Sequence, residues 1–423
     1  MSLKQLTVED YHVACITVLP EEFAAVQQMI DLPHKVPVGI DGRDPNNYEV
    51  GQVAGHNVVL CIAAQPGTTK AATTATHLWR SFKKLRFGLL VGIGAGVPSV
   101  NRDIFLGDVV VAAPGPLSSG ITHYDHGKQL SDAFILLRSP VSTPLELLGA
   151  VSRMRSINLL DSSTIPQIIS AVVGKYPVFQ RPDHQSDLLF QPTYDHVAGN
   201  PNCDNCAREH LEERTPRSNR SVPRVHYGPI ASGSQVVKSP AKRDYLGTLY
   251  GVYCIEMEAA GVMPSLPSFV IRGISDYADS HKNDDWHNYA ALAAVAYAKE
   301  LLTCISPAEP DAISSSPNVS SSGVPGQPTA TLSRDVALEG ILDDKARRIG
   351  ATDWRASIVD LLKILGLKWD GKSRDDLAAL LQVSEGSSGS ARRNNALRRA
   401  LIGRLAVVNG GVVFPGSLDA LRY

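Results

Sequence analysis

The sequence predicts an α/β domain built on a central sheet, followed by a small all-α unit. Three observations carry this. Up to about residue 305, short apolar runs alternate with segments of helical apolar spacing, the pattern of strands and helices in turn. From about 306 to 332 the chain is dominated by Ser, Pro and Gly with no aromatic residue, a composition that cannot pack and that predicts a flexible linker. Beyond it come three helix-patterned segments. At 423 residues the chain is too long for one ordinary core. The expected division is therefore 1–305, a linker 306–332 and a helical unit 333–423.

The elements follow in order. His12–Leu19 reads as a buried strand, and Pro20–Ile30 as a helix with Pro at its first position. Asn57–Ala64 and Phe87–Ile93 are further strands, with a helix over Lys70–Phe82 between them. Gly107–Ala113 is a strand introduced by Leu106-Gly-Asp. The stretch from about 175 to 222 is polar and irregular and is expected to pass over the active-site side. An Ala- and Leu-rich helix runs from Trp286 to Leu302. In the last unit, Trp354–Leu367, Arg374–Leu381 and Arg392–Val408 read as helices.

Composition removes several function classes. Hydrophobic residues make up 43%, charged residues 20%, and the net charge is −1, so no global attraction to nucleic acid or anionic membrane is expected. No apolar run reaches membrane-spanning length, and the N-terminus lacks a basic region followed by an apolar core, so no signal peptide is expected. Cys15, Cys61 and Cys254 lie in apolar runs and Cys304 ends a helix, which suits reduced thiols of a cytoplasmic protein.

The most informative stretch is Phe269-Val-Ile-Arg-Gly-Ile-Ser-Asp-Tyr-Ala-Asp279, an apolar strand ending in a Ser-Asp pair. Carboxylates at the end of a buried parallel strand point into the crevice where α/β proteins bind ligands. Upstream, Ile255-Glu-Met-Glu-Ala-Ala260 sets acids among apolar residues, where burial is costly unless something uses them.

Taken together, Val91-Gly-Ile-Gly-Ala-Gly-Val97, Gly107-Asp-Val-Val-Val111, Ile230-Ala-Ser-Gly-Ser-Gln235, Ile255–Ala260 and Ile274-Ser-Asp-Tyr-Ala-Asp279 resemble the nucleoside phosphorylase and nucleosidase superfamily. Within it the chain looks most like the fungal branch found at the N-terminus of NLR-type immune proteins, and it also resembles methylthioadenosine/adenosylhomocysteine nucleosidases. The resemblance covers about residues 10–305 and rests on five motifs in order; a lone Gly-x-Gly-x-Gly is weak evidence. It implies a mixed sheet flanked by helices and cleavage of the N-glycosidic bond of a purine nucleoside. The ribose passes through an oxocarbenium-like state while the purine leaves with its charge neutralised, which needs a carboxylic acid near N7, kept protonated by its surroundings.

By the resemblance, Asp276 is that acid and Ser275 orients it. Glu258 grips the ribose 2′- and 3′-hydroxyls, Met257 packs on the sugar, and Val236 and Val237 line the base. Gly92, Gly94 and Gly96 let backbone approach the ligand. On the residues alone, Met257 reads as core, Val236 and Val237 as strand residues, and Arg272 as a structural partner for a carboxylate.

The reaction class turns on phosphate. A phosphorylase holds it with arginine and backbone amides. Where such enzymes carry an arginine before the Gly-rich loop and a serine within it, this chain has Leu90 and Ile93. The loop after the first strand reads Leu19-Pro-Glu-Glu22, and Glu22 matches the nucleosidase glutamate that activates water. A carboxylate there repels phosphate and serves as general base; its plainer reading is a helix N-terminal Glu favoured by the dipole. Hydrolysis is expected, with phosphorolysis or a non-catalytic nucleoside-binding sensor as alternatives. The expectations are completed by a role in purine salvage, a homodimer or higher homo-oligomer and no metal or organic cofactor.

Three features stand outside this reading. Cys203-Asp-Asn-Cys206 with His210 has the spacing of half a zinc site, and the fungal branch carries such a Cys-x-x-Cys in its insertion. It is read as a loop feature, a disulfide or a weak metal site. His123-Tyr-Asp-His126 has side chains that could reach the sugar or its 5′ substituent, and is read first as a surface loop. The C-terminal unit resembles, over roughly 335–418, a small helical domain of unknown function. Its Arg392-Arg-Asn-Asn-Ala-Leu-Arg-Arg399 run offers a contact for nucleic acid or an anionic lipid, and reads first as a solvated helix face.

Overall fold

A computed structural model describes residues 3–308 apart from 100, 115–117, 130–133, 137–142, 201, 216 and 218. In the C-terminal part it describes 346 and 353–413 apart from 366–368, 381, 382, 384, 405, 409 and 410. The predicted linker lies outside the described residues from 309 onward. The chain divides into two compact units, 1–314 and 315–423.

In chain order the first unit contains β1 Val13–Thr17, α1 Pro20–Gln27, β2 Leu32–Pro33, β3 Tyr48–Val53, β4 His56–Ile62, α2 Thr68–Ser81, β5 Phe87–Gly96, β6 Val109–Ala112, β7 Ile121–His123, β8 Gly127–Gln129 and β9 Phe134–Leu136. It continues with α3 Leu145–Leu159, α4 Ile165–Lys175, β10 Val225–Gly228, β11 Ile230–Ser232, α5 Pro240–Tyr250, β12 Cys254–Glu256, α6 Ala259–Val262, β13 Ser268–Asp276 and α7 His287–Thr303. The expected α/β architecture is present, and the sheet is mixed. Its main path runs β10-β6-β13-β5-β1-β4-β3-β2. The central pairs β13–β5, β5–β1 and β1–β4 are parallel, whereas β3–β4 and β6–β13 are antiparallel.

The central strands are buried on both faces because helices cover both. Every residue of β1 and every residue of β13 is buried, which accounts for their continuous apolar runs. Helix α7 lies on β13 and β5 with α1 and α4 beside it. Its Ala-rich surface and Gly273 permit a close approach: a Cβ on Gly273 would stand 1.8 Å from the Ala290 carbonyl oxygen. At β5, the antiparallel β12 pairs Ile255 with Ala95, while β13 pairs Asp276 with the same residue after a register shift that leaves Ser275 unpaired. Acids from two strands are thus delivered to one end of β5.

The second unit holds α8 Ile358–Ile364, α9 Gly371–Leu380 and α10 Ala391–Arg404, followed by a hairpin of β14 Ala406–Val408 and β15 Gly411–Val413. Ser357 starts α8 by accepting the Asp360 amide at 3.2 Å. Trp354, Leu361, Leu362, Leu377, Leu397 and Leu401 are buried. The helix read over Arg392–Val408 ends at Arg404, because Ala406–Val408 pairs antiparallel with Gly411–Val413. Arg393 faces Asp375 at 3.6 Å.

Candidate active site

Glu22 starts the site. It sits at the third position of α1, and its Oε2 accepts the amides of Val18 and Leu19 at 2.8 and 2.9 Å, capping the helix that Pro20 opens. Its Oε1 accepts the Ile93 amide at 2.8 Å, which ties α1 to the middle of β5. Glu22 is buried, and it does hold the helix N-terminal position that the dipole favours while also reaching Ile93.

Arg272 approaches the same carboxylate from β13. It is 1% exposed and its guanidinium faces three acids: Glu22 at 3.9 Å, Glu258 at 3.2 Å, and Glu256 in direct contact. Its reading as a structural partner for a carboxylate was correct in kind and too small in number. Glu256 also accepts the amides of Glu258 and Ala259, at 3.1 and 3.0 Å, and so fixes the turn into α6. Glu258 accepts from the Gly67 amide at 3.3 Å. Burial pushes the Glu258 carboxyl up; Arg272 pulls it down, while Glu256 and Glu22 push it further up, and it settles at about 7.

Gly92 is needed for this cluster. A Cβ there would stand 2.3 Å from Glu22 Oε1 and 2.6 Å from Arg272 Nη1. At Gly94 it would meet Cys254 Sγ at 2.5 Å, and at Gly96 Ile274 Cγ2 at 2.9 Å. The space these glycines leave is filled by protein atoms, a structural reason beside the expected approach of a ligand.

Asp276 ends β13. Its Oδ2 accepts from Lys282 Nζ at 2.7 Å and Ser275 Oγ at 3.0 Å, and its Oδ1 from the Ala278 amide at 2.9 Å. Every one of these contacts is a donor, so no neighbour accepts the proton of a neutral carboxylic acid, contrary to the expectation that the surroundings hold Asp276 protonated. Asp276, Ser275 and Lys282 line a cavity of about 350 Å³ with Asp183, Asn202 and Cys203. The irregular 175–222 stretch therefore does form a wall over Asp276. It is anchored by Tyr277, whose hydroxyl donates to Asp187 at 2.6 Å and accepts from Arg214 at 2.8 Å. Asp108 holds the far end of this stretch: Arg217 grips it with two bonds of 2.6 and 2.7 Å and His226 at 2.8 Å. Burial raises the Asp108 carboxyl, but these bonds overcome it and bring it down to about 2.

Val236 and Val237 lie in the loop between β11 and α5 and not in a strand; Val236 is 60% exposed, and Val237 packs against a small cluster with Ala95 and Ile255. Met257 is half-buried and not core. In the His123–His126 segment Tyr124 is buried, and His123 pairs with Asp125 at 2.9 Å.

Glu256 and Lys282 went unnamed in the sequence reading. Glu256 carried a signal: Glu256 and Glu258 are two apart, so in extended chain they share a face, and two buried acids on one face demand a cation. Lys282 lies in the turn after β13 and carried none.

Similar proteins were found for both units. Residues 293–414 match the family described as a domain of unknown function, DUF3597. Over 305 residues the chain is 38% identical to a nucleotide-binding leucine-rich repeat (NLR)-like protein of Hyaloscypha variabilis, covering 71% of this chain and 30% of that one. Over 79 residues it is 37% identical to an ATP nucleosidase Cap17 of Escherichia coli, covering 17% of this chain and 16% of that one. A 5′-methylthioadenosine/S-adenosylhomocysteine nucleosidase of Mycobacterium bovis is 24% identical over 260 residues, 60% of this chain and 83% of its own. The chain thus spans less than a third of the first two relatives. Their names bear out the resemblance to nucleosidases and NLR-type proteins, and the helical unit of unknown function is matched. Among the described residues no helix is long and apolar enough to cross a membrane.

Proposed function

We propose that the first unit is a purine nucleosidase, hydrolysing the N-glycosidic bond to free base and ribose. The observation that carries this is Glu22: it accepts the Ile93 amide within the Gly-rich segment, where a phosphorylase needs donors for phosphate. The nearest cation, Arg272, is already shared among three carboxylates. An anion approaching Ile93 meets more negative than positive charge, and that charge acts at short range in a buried setting. Water meets no such barrier, and Glu22 can accept its proton.

In this reading Glu258 accepts the ribose hydroxyls and gains strength as positive charge develops on the sugar. Asp276 hands the leaving purine its proton, and Lys282, whose Nζ donates to Asp276 Oδ2 at 2.7 Å, supplies that proton to the carboxylate. Ser275 fixes the carboxylate's orientation. The relative named an ATP nucleosidase brings nucleotides into the proposed substrate class beside adenosine, inosine and guanosine. A homo-oligomer built through this unit belongs to the same proposal, as do the boundaries at 305 and 332 and a cytoplasmic setting.

The test is incubation of the full chain with adenosine, inosine, guanosine, AMP and ATP without phosphate, with base and sugar followed by chromatography. Release of base and ribose supports the reading. Tight binding of a nucleoside with no release supports the sensor alternative.

A further inference from the structure

A second cluster of reactive side chains lies in the wall of the same cavity and takes no part in the proposed hydrolysis. A ring nitrogen of His196 and the sulfurs of Cys203 and Cys206 lie within 4.8 Å of one another. The sequence offered His210 as the companion of the two cysteines. Instead, His210 is stacked on Tyr194, with ring centres 4.3 Å apart, and the imidazole beside the sulfurs comes from the other side of the loop. The cysteines sit three apart on a turn closed by the Cys206 amide to the Cys203 carbonyl at 3.1 Å, the spacing at which a Cys-x-x-Cys turn presents both sulfurs to one ion. Both are free thiols.

Two observations independent of the cysteines point to a ligand. His196 Nε2 is bonded to the Asn202 carbonyl at 2.8 Å, which leaves Nδ1 with its lone pair and holds the ring as metal-ligating histidines are usually held. His281, 6% exposed, has an Nε2 that is buried and finds no hydrogen-bond partner. The ring centres of His196 and His281 are 5.5 Å apart and their planes are nearly perpendicular at 73°. The His281 nitrogens stand outside the group of ligand atoms that lie within 4.8 Å of one another, so this ring borders the three-residue cluster without joining it. The His281 ring is held in place by Phe190, stacked at 4.0 Å.

We propose that Cys203, Cys206 and His196 bind one divalent borderline-soft transition metal, Zn²⁺ first. Two thiolates and one imidazole fill three positions of a tetrahedral ion, and the fourth falls to a further group. All three ligands come from the 195–206 loop, so the ion fastens this part of the cavity wall onto itself. The loop is already tied to the segment that follows Asp276 by His196 N to Ser280 Oγ at 3.0 Å. The proposal goes beyond the nucleosidase reading and stands or falls separately from it.

The test uses the full chain, produced in zinc-supplemented medium and purified without chelator. Elemental analysis should find about one zinc per chain. Cys203→Ser combined with Cys206→Ser should abolish it, His196→Ala should weaken binding at least about tenfold, and His210→Ala should leave it unchanged. Should the double serine variant fail to fold by circular dichroism, chelator-extracted wild-type protein titrated with Co²⁺ decides alone. Tetrahedral visible bands with a thiolate charge-transfer band support the site. A metal-free protein whose Co²⁺ spectrum shows no thiolate band would overturn the proposal, as would a Cys203–Cys206 disulfide in freshly isolated protein. Full zinc content in a folded double serine variant would overturn it too.

Discussion

Arg272 and Glu22 meet over Gly92, with Nη1 3.9 Å from Oε1, in space that any side chain at position 92 would occupy. One cation drawn from β13 thereby organises acids from α1, β12 and the turn into α6. Removing it strands three buried carboxylates. Arg272→Met is expected to cost about 3–5 kcal/mol, the range for breaking a buried ion pair from one side. Chemical denaturation of the isolated first unit checks this; a loss under about 1 kcal/mol would show that the acids are satisfied without the guanidinium.

The close approach at Gly92 makes a second prediction. Gly92→Ala puts a methyl 2.3 Å from Glu22 Oε1, so either the carboxylate or the guanidinium must shift. Stability should fall by about 1–3 kcal/mol, as overpacking does, and base release should fall with it. Melting temperature and turnover together provide the check. A variant equal to wild type in both would mean that the cluster relaxes freely.

Glu258 connects the cluster to pH. Its folded value, about 7, lies above that of an ordinary glutamate, so the folded protein holds this proton more tightly than the unfolded chain. The resulting stabilisation is complete below the ordinary glutamate range and is lost as pH rises toward 7. Glu258→Gln cannot ionise and escapes the loss. Between about pH 5 and pH 8 the melting temperature of the variant should therefore rise relative to wild type. A difference that is flat, or that moves the other way, would contradict the placement of Glu258 among like charges. The same variant should lose base release through its sugar contacts.

Asp276→Asn preserves shape but cannot donate a carboxylic proton, and it breaks the ion pair with Lys282. Turnover should drop on the order of 10²-fold or more with substrate binding largely retained. Single-turnover rates and nucleoside binding by calorimetry separate the two effects. Near-normal turnover would remove Asp276 from the chemistry.

Much of this was legible before any coordinates. Buried strands announce themselves by continuous apolar runs, so β1, β4, β5, β6 and β13 were found to within a few residues, and the helices α1, α2 and α7 likewise. The segment containing β11 and β12 was identifiable through its motifs but not its pairing, since three-residue strands carry too little periodicity. Helices α3 and α4 were missed, and β3, interrupted by Gly51, keeps its alternation only over Tyr48–Val50. At the site, the acids stood out because charge in apolar surroundings is rare. What binds them was not legible: that Arg272 serves three carboxylates, and that Lys282 folds back from a turn onto Asp276, depend on contacts the local sequence does not encode. The same holds for the cysteine cluster, where the nearest histidine in spacing is not the nearest in space.

The most direct test of the central claim is the identity of the sugar product as phosphate is varied. Because Glu22 occupies the Ile93 amide and Leu90 and Ile93 supply neither cation nor hydroxyl, the full chain should release base together with free ribose, at a rate unchanged by added phosphate. Glu22→Ala should lose most of that rate. Ribose 1-phosphate as the main product, formed faster as phosphate rises, would contradict the hydrolase reading.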